Sequence, residues 1–395
     1  MPACEARRAY FLDVDHCQQQ KHGQHIAGDV FLSKKIESGD RVVSVLADGL
    51  GSGVEASVLA SLTATMALEY VTSNIETRRA AEIVMDALPI CRQRQISYST
   101  FSIVDTNTAG ATRVIEHGNP SFLLIRNGEH IPVEQIPVRR PRWRNRELSC
   151  SQFSTQIGDR IVFFSDGVSQ SGIGTRQMPL GWGTKHVSDY LLQLVRQEPN
   201  ISARRLSEAL VSEAVWNDGR QAGDDITCGV IYFRQPRYLR VLTGPPFDME
   251  RDPEFAGLVD GYDGCTVVCG GTTSNIVARE LNRSVTMNIR EFDPDVPNTS
   301  AMDGVDLVTE GCLTLGKTAE YLESGVPPKR INGATRFVDL LLQSDVIEFI
   351  MGTRINEAHQ SPSLPIELDI RRNVIKRIRK LLEEKYLKET CVSYF

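Results

Sequence analysis

Apolar positions in the first 235 residues fall into runs of two kinds. RVVSVLADG (41–49) is a continuous apolar run closed by Asp-Gly, which predicts a buried strand ending in a turn. The next segment, GVEASVLASLTATMALEYV (53–71), has helical spacing. Val54, Val58, Leu62, Met66 and Tyr70 recur every fourth residue, Leu59 and Leu68 widen the row, and this stripe is the expected buried face. YSTFSIVDTNTAGATRVIEHGNPSFLLIRNGEHIPV (98–133) alternates β-formers with turn residues and predicts a meander, with a hairpin at Asn127-Gly128. DRIVFFSDG (159–167) repeats the pattern of a buried strand ending on Asp-Gly. After a helical stretch near 185–215, DDITCGVIYF (224–233) opens a last strand with two acids.

The pattern breaks at YFRQPRYLRVLTGPP (232–246), where prolines interrupt regular pairing. A boundary there divides the chain into domains 1–235 and 236–395. In the second, GCTVVCGGTTSNIVARELNR (264–283) reads as strand, glycine turn and helix. MDGVDLVTEGCLTLGKTAEYL (302–322) is Asp/Gly-rich before a helical run, and RRNVIKRIRKLLEEKYL (371–387) is an amphipathic helix suited to packing or to the surface.

Composition narrows the class. Of 395 residues, 41% are hydrophobic, and 44 basic against 50 acidic side chains leave a net charge of −6. That balance argues against a protein whose main partner is nucleic acid. No run reaches the roughly 18 apolar residues of a membrane span, and the N-terminus lacks the apolar core of an export signal. The nine scattered cysteines suit free thiols in a reducing compartment. Cys265 and Cys269 lack the second pair that a zinc site needs. A cytoplasmic location is expected.

The predicted strands share acidic ends: Asp29 in AGDVF, Asp48 in LADGLGSG, Asp166 in FFSDGV, and Asp224 with Asp225 in GDDIT. A single Asp-Gly is ordinarily a plain turn. Several acidic strand ends gathered at one rim would instead repel each other unless a cation neutralises them or some become protonated. Oxygen ligands of this kind suit Mg²⁺ or Mn²⁺, and two such ions can activate water for displacement at phosphorus. Gly49 could present its carbonyl without a side chain in the way, while Gly51 and Gly53 permit a tight turn into the helix.

In order and local context, QQQKHGQHIAGDVF (18–31), LADGLGSGVEAS, EHGNPSFLLIRNG (116–128), GDRIVFFSDGVSQSG (158–172) and GDDITCGVIYF resemble the metal-dependent protein phosphatases of the type 2C (PPM) class. The SpoIIE-like bacterial serine/threonine phosphatases are the most similar group, over about residues 10–235. The resemblance implies an α+β fold, a four-layer α-β-β-α sandwich, followed by a smaller α/β domain. It implies two Mn²⁺ or Mg²⁺ ions, with Asp48 bridging them and the Gly49 carbonyl binding one. Asp166 and Asp224 would bind the other, Asp29 would act largely through water, and Asp225 would support. The implied reaction is hydrolysis of phosphoserine or phosphothreonine on a bacterial signalling protein by a two-metal-activated water. Family substrates include antagonists of anti-sigma factors. Some members of the wider class use an N-terminal arginine, and only Arg7 and Arg8 stand in that region here.

Two other functions compete: a catalytically weak scaffold whose C-terminal module binds a ligand, and hydrolysis of a small phosphate ester. The class admits homodimers through helices, although no heptad run here supports one.

Three features stand outside this frame. His16, Cys17, His22 and His25 have irregular spacing and read as a solvated loop rather than a zinc site. RRPRWRNR (139–146) reads as a solvated β-loop, or else as an arginine edge that docks a phosphoprotein. In the second domain, Gly270, Gly271, Thr272 and Thr273 form a candidate ligand turn at a helix start, without the Lys of a P-loop. With Asp303, Asp306 and Glu310 opposite, it would make an acid-rimmed pocket for a small-molecule effector, and the module would regulate the phosphatase.

Overall fold

The structure is a computed structural model that describes residues 10–36, 40–51, 53–88, 99–288, 293–325, 330–354 and 364–395. The chain divides between Gln235 and Pro236 into two compact units.

The first unit begins with strands β1 (Phe11–Gln19), β2 (Asp29–Ile36) and β3 (Arg41–Gly49), followed by helices α1 (Val54–Thr72) and α2 (Thr77–Ala87). Next come β4 (Ser99–Asn107), β5 (Ala111–His117), β6 (Leu123–Arg126), β7 (Glu129–Ile131), β8 (Ile136–Arg139), β9 (Glu147–Ser154) and β10 (Arg160–Phe164). It closes with α3 (Asp166–Ser169), α4 (Thr184–Gln197), α5 (Ala203–Asn217) and β11 (Ile226–Arg234). The strands form two antiparallel sheets, β1-β11-β10-β6-β7 and β2-β3-β4-β5-β9-β8. Helices α4 and α5 cover the first through Val187, Leu191, Leu206 and Leu210. Helices α1 and α2 cover the second through small residues and Val84 and Met85. The result is the four-layer α-β-β-α sandwich. Between the sheets, Phe31 stacks on His16 at 4.3 Å and on Phe163 at 5.9 Å. Gly229 makes room for this stack, because a Cβ there would lie 2.5 Å from Phe31 and 2.8 Å from Phe163.

Helix α1 does not bury the stripe that its every-fourth-residue pattern predicts. Val54, Val58 and Leu62 are 63%, 59% and 53% exposed, and Met66 and Tyr70 only flank the core. The buried face is Ala56, Ala60, Thr63, Ala64, Ala67, Leu68 and Val71. The helix lies close on the sheet, and close approach selects small side chains over large ones. By length and apolarity α1 could cross a membrane, but here its alanine face packs on β3. Leu62→Gln should therefore move the melting temperature little, whereas Ala64→Leu should cost about 1–3 kcal/mol by overpacking. Urea denaturation of the two variants checks this.

The arginine run is exposed along much of its length but is anchored to α2 through Arg140, Arg142 and Trp143. Trp143 is buried and donates its indole N–H to Asp86 Oδ1 at 2.7 Å, while Arg142 grips both Asp86 oxygens at 2.6 and 2.7 Å. Arg140 bonds Glu82 at 2.7 Å and Arg139 pairs with Glu147. The run is thus a clamp on α2, because that helix presents Glu82 and Asp86 one turn apart on its facing side.

The second unit carries β12 (Tyr238–Thr243), α6 (Asp252–Gly257), β13 (Cys265–Cys269), α7 (Gly271–Glu280), β14 (Val285–Met287), β15 (Ser300–Met302) and β16 (Val305–Thr309). There follow α8 (Cys312–Ser324), α9 (Gly333–Gln343), β17 (Val346–Met351), α10 (Leu364–Glu384) and β18 (Glu389–Tyr394). Its sheet order is β14-β15-β16-β13-β12-β17-β18, parallel from β16 to β18. Residues of α8, α9 and α10 pack on one face and those of α6 and α7 on the other. In α10, Ile375, Ile378 and Leu382 are buried, so the basic amphipathic segment is a packing helix. Cys265 and Cys269 lie at the two ends of β13, about 13 Å apart at strand rise, too far to share a metal.

Candidate metal centre

The two sheets of the first unit bring their acidic strand ends to one rim. Asp29 opens β2 and Asp48 nearly closes β3, and the antiparallel register sets them directly opposite each other. Asp166 follows β10, with Ser165 N–H bonded to the Thr227 carbonyl at 3.0 Å. Asp224 and Asp225 precede β11, the strand beside β10.

Glycines allow the approach. A Cβ on Gly49 would overlap the Ala56 carbonyl of α1, and one on Gly167 would overlap the Asp225 carbonyl. Both Asp-Gly pairs therefore mark sites where another backbone comes too near for a side chain. Gly53, with φ of 81°, is the N-cap of α1, and Gly51 has φ of 99°.

The carboxylates differ in what holds them. Asp225 is buried and accepts the backbone N–H of Lys21 at 3.0 Å and of Gly28 at 2.8 Å, so it pins the loop leading into Asp29. Asp166 accepts from Gln170 Nε2 at 2.8 Å. Asp224 is half exposed, with Lys21 Nζ 3.7 Å away. Asp29 is buried and neither of its oxygens completes a hydrogen bond. Burial, reinforced by the charges of Asp225 and Asp166, pushes its pKa up to about 7, although the Thr227 and Ser165 hydroxyls pull the other way. Asp48 is pushed up to about 9 by burial and then by Asp29, Asp166, Asp224 and Asp225. Burial and then Asp224 also raise Asp166.

A buried carboxyl without a completed hydrogen bond, Asp29, beside carboxyls raised by burial and by one another's charge, is the donor set a hard cation satisfies. Asp29, Asp48, Asp166 and Asp224, with the Gly49 carbonyl, fit a divalent ion. Among the described residues no three acidic, His or Cys side chains close into a preformed cage. Mg²⁺ retains several waters and needs few carboxylates, so this is compatible with such an ion.

Asp29 and Asp48 both have folded pKa values above the ordinary carboxylate range. Their contribution in metal-free protein is therefore fully present below the ordinary carboxylate pKa of about 4 and is lost as pH rises from there, completely by about 7 for Asp29 and about 9 for Asp48. In EDTA the melting temperature should fall across that window. The gain on adding Mn²⁺ should grow across it, because binding ejects protons. Calorimetric melts at several pH values measure both trends.

Lys21 was not singled out by its sequence signal, a lone lysine in QQQKHGQH, yet its ammonium is the cation beside Asp224. His22 and His25 are exposed in the same loop, and His16 is engaged with Phe31. Arg7 and Arg8 lie outside the described residues. In the second unit, Gly270 caps α7 and the Thr273 hydroxyl accepts the Gly244 N–H at 2.9 Å, which commits it to the fold. The acid-rimmed pocket does not form as expected. Asp303 and Asp306 belong to the amino end of β16, where Asp306 accepts the Thr266 N–H, and only Glu310 stands at the carboxyl end near Gly270. The reason is strand direction: residues four and seven apart along β16 reach opposite edges of the sheet.

The four-layer sandwich is the architecture that the resemblance to the PPM class implies. Residues 38–234 match the family described as Stage II sporulation protein E (SpoIIE), so the first unit is a SpoIIE-like phosphatase domain. No curated protein matches the chain. Among solved structures, it is similar to the PP2C phosphatase domain with a regulatory-domain fragment of the cell fate determinant SpoIIE from Bacillus subtilis. That match has 17% identity over 57% of this chain and 64% of that one, with a TM-score of 0.46. The RsbU and RsbW domains of Rv1364c from Mycobacterium tuberculosis match at 20% identity, 63% and 68% coverage and a TM-score of 0.46. RsbX in complex with magnesium matches at 18% identity, 56% and 95% coverage and a TM-score of 0.41. The chain thus spans about two thirds of the first two and nearly all of the third.

Proposed function

We propose that this chain hydrolyses phosphoserine or phosphothreonine on a signalling protein, with two divalent cations, Mn²⁺ or Mg²⁺, held at the acidic rim. The observation that carries this reading is Asp29 and Asp48 paired across β2 and β3, the first buried with neither oxygen in a completed hydrogen bond and the second pushed up to about 9 by burial and then by the surrounding carboxylates. When bound, the ions supply Lewis-acid activation of water and of the phosphoryl group. Asp48 lies among the other carboxylates and is the residue best suited to contact both ions. The Gly49 carbonyl is available because no side chain can stand there. Asp166 and Asp224 complete the donors, and Asp29 holds a water or an ion from the buried side. Asp225 acts by positioning, since its oxygens fasten the Lys21–Gly28 loop. Lys21, whose ammonium lies beside Asp224, would be a donor for the substrate phosphate.

The test is hydrolysis of p-nitrophenyl phosphate, a phosphopeptide and small phosphate esters, each with EDTA, Mg²⁺ or Mn²⁺. Turnover dependent on metal and favouring the phosphopeptide supports the reading. Preference for free metabolites makes the chain a small-ester phosphatase, and no turnover under any metal makes it a scaffold. Control by the second unit is read by comparing full-length protein with residues 1–235.

A further inference from the structure

In the second unit the parallel strands follow the chain order β12, β13, β16, β17, β18, but stand side by side as β16-β13-β12-β17-β18. The chain begins in the middle of the sheet and reverses its direction of growth between β12 and β17. At such a switch the connections leave on opposite faces, and a crevice opens at the carboxyl ends of the strands.

That edge is built from bare backbone. Gly244 follows β12, Gly270 follows β13, Gly311 precedes α8 and Gly352 follows β17. The turns are joined to one another. Gly244 N–H donates to Thr273 Oγ1 at 2.9 Å, Gly270 N–H to the Thr309 carbonyl at 2.9 Å and Gly352 N–H to the Thr243 carbonyl at 3.0 Å. A Cβ on Gly311 would stand 3.7 Å from Gly270 Cα, and one on Gly352 would overlap the carbonyls of Gly244 and Pro245. Helices α7 and α8 both start here, and neither is capped by a side chain.

Three buried polar atoms at this edge have no hydrogen-bond partner: Thr243 Oγ1, Arg371 Nε and Arg354 Nη1. Thr243 is fully buried. By strand alternation its side chain shares the face of Leu239 and Val241, on which α10 packs. Arg371, on α10, reaches over the end of β12, where its Nη1 would lie 2.5 Å from a Cβ on Gly244. Arg354 comes from the other side of the switch, its own N–H bonded to the Pro245 carbonyl at 3.2 Å. Buried donors left unsatisfied are costly, and charged ones most of all. Two guanidinium groups and a hydroxyl with unpartnered polar atoms, gathered at a glycine-built strand edge, match the several oxygens of a phosphate. The first turn, Gly244-Pro245-Pro246-Phe247, lacks the glycine pattern that cradles a dinucleotide. Glu310 is exposed on the same edge, so a ligand with hydroxyl groups to donate suits it better than bare phosphate.

We propose that the carboxyl edge of this sheet binds a phosphorylated small molecule, its phosphate held by Arg371, Arg354 and Thr243. The site is separate from the acidic rim and does not rest on the phosphatase reading. The test is calorimetric titration of the full chain in EDTA with AMP, ADP, ribose 5-phosphate and inorganic phosphate. At least one organic phosphate should bind one per chain. Arg371→Ala should weaken it at least about tenfold, equivalent to about 1.4 kcal/mol. Arg371→Lys should weaken it less, and Asp48→Asn should leave it unchanged. Binding of ribose 5-phosphate as tight as that of AMP identifies a sugar phosphate, and binding of the nucleotides alone identifies a nucleotide. The proposal is overturned if none binds at millimolar concentration, or if inorganic phosphate binds as tightly as the organic phosphates. Unchanged binding by Arg371→Ala, or loss in Asp48→Asn, overturns it equally. Should Arg371→Ala fail to fold by its melting profile, Arg354→Ala is read by the same criteria.

Discussion

Asp48→Asn is expected to lower Mn²⁺-dependent hydrolysis of p-nitrophenyl phosphate by at least about a hundredfold, the scale seen when one preorganised electrostatic group is removed. The variant should nevertheless fold. In metal-free protein near neutral pH, Asp48 is held protonated, its pKa pushed up to about 9, so an amide replaces a neutral acid of the same shape. The melting temperature in EDTA should therefore not fall, and from about pH 4 upward it should increasingly exceed that of the wild type, whose carboxyl must take up a proton on folding that the amide does not need. The rise on adding Mn²⁺ should disappear. These three readings separate a metal ligand from a structural carboxyl. A collapse in EDTA would mark Asp48 as structural, and turnover kept within about tenfold would remove it from the metal centre.

Gly49→Ala should be the most damaging conservative change in the first unit. Its Cβ would overlap the Ala56 carbonyl in the first turn of α1, and backbone cannot rotate aside as a side chain can. Either α1 lifts from β3 or the Asp48-Gly49 turn shifts, and the cost should reach about 3 kcal/mol or more. Gly51→Ala is the control. A Cβ there meets nothing within 4 Å, and only its φ of 99° resists substitution, at about 1–2 kcal/mol. Urea denaturation should rank Gly49→Ala well below Gly51→Ala, with metal-dependent turnover lost in the first. Equal stabilities would mean that α1 is not seated on β3 as described.

Much of the acidic rim was legible because its signal is local. A buried strand announces itself by a run of apolar residues, and its end by Asp-Gly, so the termini at Asp48 and Asp166 could be read one at a time. Lys21 was not legible: nothing in QQQKHGQH distinguishes it from any solvated lysine, and its place beside Asp224 depends on Asp225 fastening that loop across the sandwich. The anchoring of Arg140 and Arg142 in RRPRWRNR was not legible for a related reason. Their partners, Glu82 and Asp86, lie more than fifty residues away on α2.

By itself, the sequence determined the buried strands that end near Asp48 and Asp166, the strand after Asp225, the helix that follows Gly53, the proline-marked break near residue 236 and the acidic residues at the strand ends, because periodicity and turn chemistry act over a few neighbouring residues. In it, β1, α2, α9, β17 and β18 were not legible. Only the tertiary structure decided which face of α1 is buried. The row of Val54, Val58, Leu62, Met66 and Tyr70 fits the helical period as well as the alanine face does, and the close approach of helix to sheet chose the small one. It alone also set Asp29 against Asp48 by strand register. In the second unit it brought Arg354, Arg371 and Thr243 to one edge, since a parallel sheet that grows outward from its middle strand places distant turns side by side.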